Sequence, residues 1–92
     1  MICSFKHRGL KRLFEKGDRS GIRPDLLNNV EDILGRLDMA TKAEAMNLPG
    51  YRLHSLKGDL LGYWAVTVRA NWRIIFRFQG EDAFDVELID YH

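Results

Sequence analysis

The stretch GYWAVTVRANWRIIFRF, residues 62–78, changes character at every second position, a period that suits extended backbone and not a helix. Trp64, Val66 and Val68 alternate with Tyr63, Ala65, Thr67 and Arg69. After Ala70 and Asn71, the residues Trp72, Ile74, Phe76 and Phe78 alternate with Arg73, Ile75 and Arg77. Two strands joined by a tight turn follow. One face carries the tryptophans, the phenylalanines and three aliphatics, while Arg69, Arg73 and Arg77 share the other. Residues 79–82 form a second turn, and Phe84, Val86 and Leu88 then alternate with Asp85, Glu87 and Ile89 in a last strand. The result is a three-stranded antiparallel meander, with residues 52–54 as a possible fourth strand.

Upstream the period lengthens. Residues 1–5 read as a short strand. Leu10, Leu13 and Phe14 then recur at helical spacing until Gly17 stops the helix. The segment GDRSGIRP is a loop, and Pro24 and Asp25 suit a first helical turn. Leu26, Leu27, Val30, Ile33, Leu34 and Leu37 make the longest apolar stripe in the chain. Thr41 with Glu44 has the form of a capping box, predicting a further short helix over 42–46, and residues 47–50 turn. The order is a strand, two to three helices, then a three- to four-stranded antiparallel sheet packed on the helices, an α+β fold. With 92 residues and no linker, residues 1–92 form one domain. A domain this small leaves room for a shallow surface site, not a deep cofactor cavity.

Charge is distributed in blocks. Residues 1–23 hold seven basic and two acidic side chains, 52–77 hold five and one, and 78–92 hold five acidic and no basic ones, although the net charge is only +1. A nearly neutral protein can thereby show a basic face that attracts phosphates. No apolar run reaches the ~18 residues of a membrane span, and the opening MICSFKHRG meets a cation too early for a signal peptide, so a cytoplasmic protein with no membrane partner is expected. Cys3 is the single cysteine, and no Cys/His set has zinc spacing. Neither metal nor cofactor is expected.

Apart from the core, the second half of the chain offers Arg52, His54, Lys57, Asp59, Arg69, Asn71, Arg73, Arg77, Asp90, Tyr91 and His92. Cleavage of RNA by its own 2′-hydroxyl needs a base for that hydroxyl, an acid for the leaving 5′-oxygen and cations around the phosphorus. Two histidines, a tyrosine and several cations are sufficient for that chemistry. Strand parity complicates the picture, because Tyr91 points opposite Asp90 and His92, which share parity with Phe84, Val86 and Leu88. All three serve one cleft only at a twisted sheet rim. His7 reads as a surface residue with no role.

The stretches SFKHRGLKRLFEKG (4–17), ILGRLDMAT (33–41), LPGYRLHSLKGD (48–59), residues 62–78 and the terminal DYH resemble, in order, the HigB toxins of bacterial toxin–antitoxin modules, over essentially the whole chain. The resemblance implies the RelE/ParE fold and a ribosome-dependent endoribonuclease that cuts messenger RNA in the A site. It implies a helix-turn-helix antitoxin of the HigA kind, with operator DNA reached only through that antitoxin. It places the catalytic set at His54, Lys57, Arg73, Asp90, Tyr91 and His92. RNA or ribosome contacts would come from Lys11, Arg12, Lys16, Arg52, Arg69, Asn71 and Arg77. Where many relatives have proline after the motif histidine, this chain has Ser55, which implies a less rigid loop around Lys57. ParE-type relatives share the fold but target DNA gyrase, so a non-enzymatic inhibitor is the alternative, as is an inactive homologue that only binds antitoxin. A gyrase binder has no evident use for the His, Lys, Arg and Tyr set.

Overall fold

The computed structural model describes residues 1–91. Helix α1, Arg8–Lys16, buries Gly9, Leu10 and Leu13 and leaves its cations in solvent. It ends at Gly17, whose left-handed backbone (φ 68°) lets its N–H reach Leu13 O at 3.0 Å while the Asp18 N–H reaches Arg12 O at 3.2 Å. A 3-10 turn, Pro24–Leu26, leads into helix α2, Leu27–Met39, and the expected stripe from Leu26 to Leu37 is buried throughout. The predicted capping box is absent. A single 3-10 turn, Ala43–Met46, begins after Lys42 with no side-chain cap, so Thr41 lies too far upstream to serve it.

Four strands follow: β1 His54–Ser55, β2 Trp64–Arg69, β3 Trp72–Gln79 and β4 Asp82–Asp90, in the spatial order β1-β2-β3-β4, all antiparallel. Val66, Val68, Ile74, Phe76, Ala83, Val86 and Leu88 join the helix stripes in one core. The other face is not the solvated surface that alternation alone suggests. It carries a smaller cluster of Leu56, Ala65 and Ile75, flanked by Leu60, Tyr63 and Ile89.

Two irregularities shift parity. In β4 the partner of Ile75 is Glu87 but the partner of Arg77 is Phe84, so β4 holds one extra residue, and Asp85 has a left-handed backbone (φ 55°). This β-bulge reverses the alternation before it, so Ala83 enters the core and Phe84, expected there, lies on the opposite face under the Arg77 guanidinium at 5.1 Å. In β2 a register shift between Thr67 and Arg69 pairs Arg69 with Trp72. Arg69 is thereby taken off the row that Arg73 occupies.

The N-terminal residues form no strand of their own. They make two isolated parallel bridges beside β4, Ile2 to Ala83 and Phe5 to Val86. Between them the bulge breaks the ladder, and the Ser4 hydroxyl replaces a main-chain acceptor by taking the Asp85 N–H at 2.8 Å.

His7, expected to be idle, caps α1. Its Nδ1 accepts the Leu10 N–H at 3.1 Å, and burial holds the imidazole below its ordinary value of 6.5, opposed by the nearby Glu87 charge. A depressed histidine pKa means that the unfolded chain binds the proton more readily, so this contribution is complete above the unfolded value and is lost as pH falls through it toward the folded value. Urea midpoints at pH 7.5 and 5.5 should therefore differ by a term that His7→Asn removes, since asparagine caps at either pH. The expected size is roughly 1 kcal/mol, that of one N-cap. An unchanged pH dependence in the variant would assign the term elsewhere.

Candidate active site

The sheet register arranges the side chains of the open face, opposite the helices, in rows. His54 lines up with Ala65, Ile75 and Glu87, and the next row holds Thr67, Arg73 and Ile89. Tyr91 follows Ile89 by two residues, and its N–H is held by Asn71 O in the β2–β3 turn at 2.7 Å. His54, Arg73 and Tyr91 thus occupy one face in adjoining rows. From strand and residue spacings, about 12 Å separates the His54 and Arg73 backbones, a gap that long side chains and a nucleotide can span.

His54 is exposed, and its Nδ1 lies 3.0 Å from Arg52 O. A carbonyl only accepts, so the contact requires the proton on Nδ1 and leaves Nε2 as the free nitrogen. The carbonyl is aimed by an unusual backbone, since Arg52 is left-handed (φ 51°). Its neighbour Tyr51 is fastened on two sides: its hydroxyl donates to Asp32 on α2, and its carbonyl accepts the Thr67 N–H at 2.7 Å. Burial first, and Asp32 second, push the Tyr51 phenol well above its ordinary range. Arg52 therefore acts on His54 through its main chain.

Lys57 is exposed at the start of a 3-10 turn, Gly58–Leu60, in the loop 56–63 that leaves β1. The loop is closed at its base by Leu56 N–H to Tyr63 O at 2.9 Å, and Leu56, Leu60 and Tyr63 pack on the open face. Packing of Leu56 thus anchors the loop next to Ser55, the position expected above to make it less rigid.

Arg73 donates to Ala70 O at 2.6 Å and Trp72 O at 3.0 Å. Both acceptors are carbonyls, so among the described residues no acid neutralises the guanidinium. Arg77 differs. Its Nε lies 2.7 Å from Asp85 Oδ2, and the two shift each other, the arginine upward and the carboxyl downward, chiefly through that hydrogen bond. Arg77 is thus engaged by an acid, and Arg69 stands in another row. Asp90 pairs in register with Trp72, on the parity of Leu88, at the sheet's end. His92 lies outside the described residues. Lys11, Arg12 and Lys16 are exposed on α1, Arg12 near Asp18 at 3.8 Å. Glu87, which completes the His54 row, was readable from alternation but not singled out as a carboxylate on this face.

A cleft of about 220 Å³ sits between α2, residues 49–51 and the Thr67–Val68 part of β2. Among the described residues, no cluster of His, Cys, Asp and Glu could hold a metal ion, and no helix is long and apolar enough to cross a membrane.

Helices on one side of a four-stranded antiparallel sheet are the fold of solved toxin structures, and the family model that matches this chain is that of a RelE-like toxin. A histidine-to-glutamine mutant of YafQ from E. coli superimposes with a TM-score of 0.59 at 19% identity, over 95% of this chain and 89% of that one. A YoeB/ParE toxin from Agrobacterium tumefaciens gives 0.59 at 17%, over 100% and 99%. The chain belongs to the family of RelE-like toxins of the type II toxin–antitoxin system HigB, whose model matches residues 3–92. It is 51% identical over 92 residues, all of both chains, to Endoribonuclease HigB of Proteus vulgaris. It is 27% identical over 82 residues, 85% of this chain and 84% of the relative, to Toxin HigB-1 of Vibrio cholerae serotype O1. As a toxin of such a system, it has an antitoxin as its partner.

Proposed function

We propose that this toxin is a ribosome-dependent endoribonuclease that cuts messenger RNA in the A site and so inhibits translation. Full-length identity of 51% to a protein named as an endoribonuclease supports the activity. The observation that carries the mechanism is the open face itself, where His54, bonded through Nδ1 to a carbonyl, shares adjoining rows with Arg73, held by carbonyls, and with Tyr91.

In this reading a base takes the proton from the 2′-hydroxyl, whose oxygen attacks phosphorus. The bond from phosphorus to the 5′-oxygen breaks, and an acid protonates that oxygen, leaving a cyclic phosphate and a 5′-hydroxyl. His54 and His92 share the two proton roles, Lys57 and Arg73 hold charge on the phosphorane, Tyr91 stacks on or orients the nucleotide, and Asp90 orients a neighbour. Asn71 stands beside Tyr91, and the Lys11, Arg12 and Lys16 stripe grips ribosomal RNA, a positioning role. A flat site of this kind leaves alignment of the RNA to its host, which favours the ribosome as the source of orientation. The single domain, residues 1–92, acts in the cytoplasm. Its antitoxin is of the HigA helix-turn-helix kind and carries it to operator DNA.

Primer extension on a translated messenger, with and without purified ribosomes, tests the reading. Cuts within A-site codons are expected only with ribosomes, and His92→Ala should remove them. Cuts on naked RNA at equal rate, or none under any condition, would overturn it.

A further inference from the structure

A second set of engaged polar groups lies at the far end of the open face, centred on the bulge in β4. The Asp85 carboxylate accepts from Arg77 Nε at 2.7 Å, from the Tyr63 hydroxyl at 3.4 Å and from the Ser4 hydroxyl at 3.4 Å. Lys6 places its ammonium 5.4 Å from the centre of the Tyr63 ring. A left-handed backbone at a residue other than glycine is retained against its steric cost, a pattern that clusters at functional sites. The bulge is what lets one carboxylate meet the N-terminal segment, β3 and the loop 56–63 together.

That loop is the one that presents Lys57. Tyr63 closes it, taking the Leu56 N–H at 2.9 Å on its carbonyl and giving its own N–H to Leu60 O at 3.0 Å. Its ring packs with Leu56 and Leu60, and its hydroxyl reaches across to β4. The route from Asp85 to Lys57 is therefore short and continuous: carboxylate, phenol, loop base, then the residue next to Leu56.

We propose that Asp85 is a positioning residue for the cleavage reaction, holding through the Tyr63 hydroxyl the loop that carries Lys57; this rests on the role given to Lys57 above. Asp85 touches no reacting atom. It fixes the geometry of one that does, and a displacement of about 1 Å is worth up to ~100-fold in rate.

The test is ribosome-dependent cleavage by the full chain, read as kcat and KM separately. Tyr63→Phe removes one oxygen, Asp85→Asn keeps the shape and removes the charge, and Asp85→Gly suits the left-handed backbone while removing the carboxylate. Each should lower kcat by about 10- to 100-fold with KM little changed. In a Lys57→Ala background the same changes should add less than a further twofold, which a general loss of fold would not produce. Should the Asp85 variants fail to fold, Tyr63→Phe alone decides. Wild-type rates for Tyr63→Phe, or the full loss repeated in the Lys57→Ala background, would overturn the proposal. A Lys57→Ala chain as active as wild type would instead overturn the role of Lys57, and the proposal with it.

Discussion

Replacing His54 with alanine is expected to lower ribosome-dependent cleavage by about 10²- to 10⁴-fold, the contribution of one positioned proton-transfer group. The side chain is exposed and, among the described residues, its hydrogen bond is to the nearby Arg52 carbonyl, so the melting temperature should hardly move, as is usual for exposed positions outside the core. Lys57→Ala should lose about 10²- to 10³-fold, the scale of one lost group stabilising developing charge. Combining the two should give much less than the product, because groups serving one transition state are not additive. A His54→Ala chain that cuts normally would remove this histidine from the chemistry and leave His92 to carry both proton roles or neither. Rates on ribosome-bound messenger, paired with thermal melts of each variant, separate these outcomes.

The second large effect is on stability. Phe76→Ala empties a fully buried site in β3, where the ring meets Phe78 edge-on at 5.9 Å. Such truncations are worth about 3–5 kcal/mol, against a total of ~5–15 kcal/mol for a whole domain. A melting temperature lower by roughly 15–30 °C follows for a chain of this size. Phe84→Ala should be far milder, about 1–2 kcal/mol, since that ring lies outside the core with Arg77 over it. Equal losses for the two phenylalanines would mean that β4 has no bulge and that Phe84 faces the helices.

That contrast marks where the sequence was legible. Alternation in residues 62–78 and the stripe from Leu26 to Leu37 led directly to a meander under helices, because burial of one face is written into residue type. The bulges were not legible. Asp85 and Arg52 adopt left-handed backbones without a glycine to announce them, and one inserted residue moved Phe84 out of the core. His7 was misjudged for a similar reason, since histidine is not among the usual helix caps and only its approach to the Leu10 N–H reveals the role.

Within the candidate site, the side chains able to do the chemistry stood out by type, and His54, Arg73 and Tyr91 share the open face. What types could not convey was engagement. Arg77 and Arg73 look alike in the alternating pattern, yet one is held by a carboxylate and the other by carbonyls. Nor could spacing show that Arg52 serves His54 with its backbone.

The N-terminal residues run beside β4, and the Ser4 and Asp85 side chains that meet there are 81 positions apart in the chain. Translation makes the N-terminal segment well before its partner strand. A nascent chain short of β4 therefore has no Asp90 or Tyr91, no bulge to receive Ser4, and an unsatisfied edge along β3. The fold therefore closes only once β4 has been made, later than the helices and the three strands that wait for it.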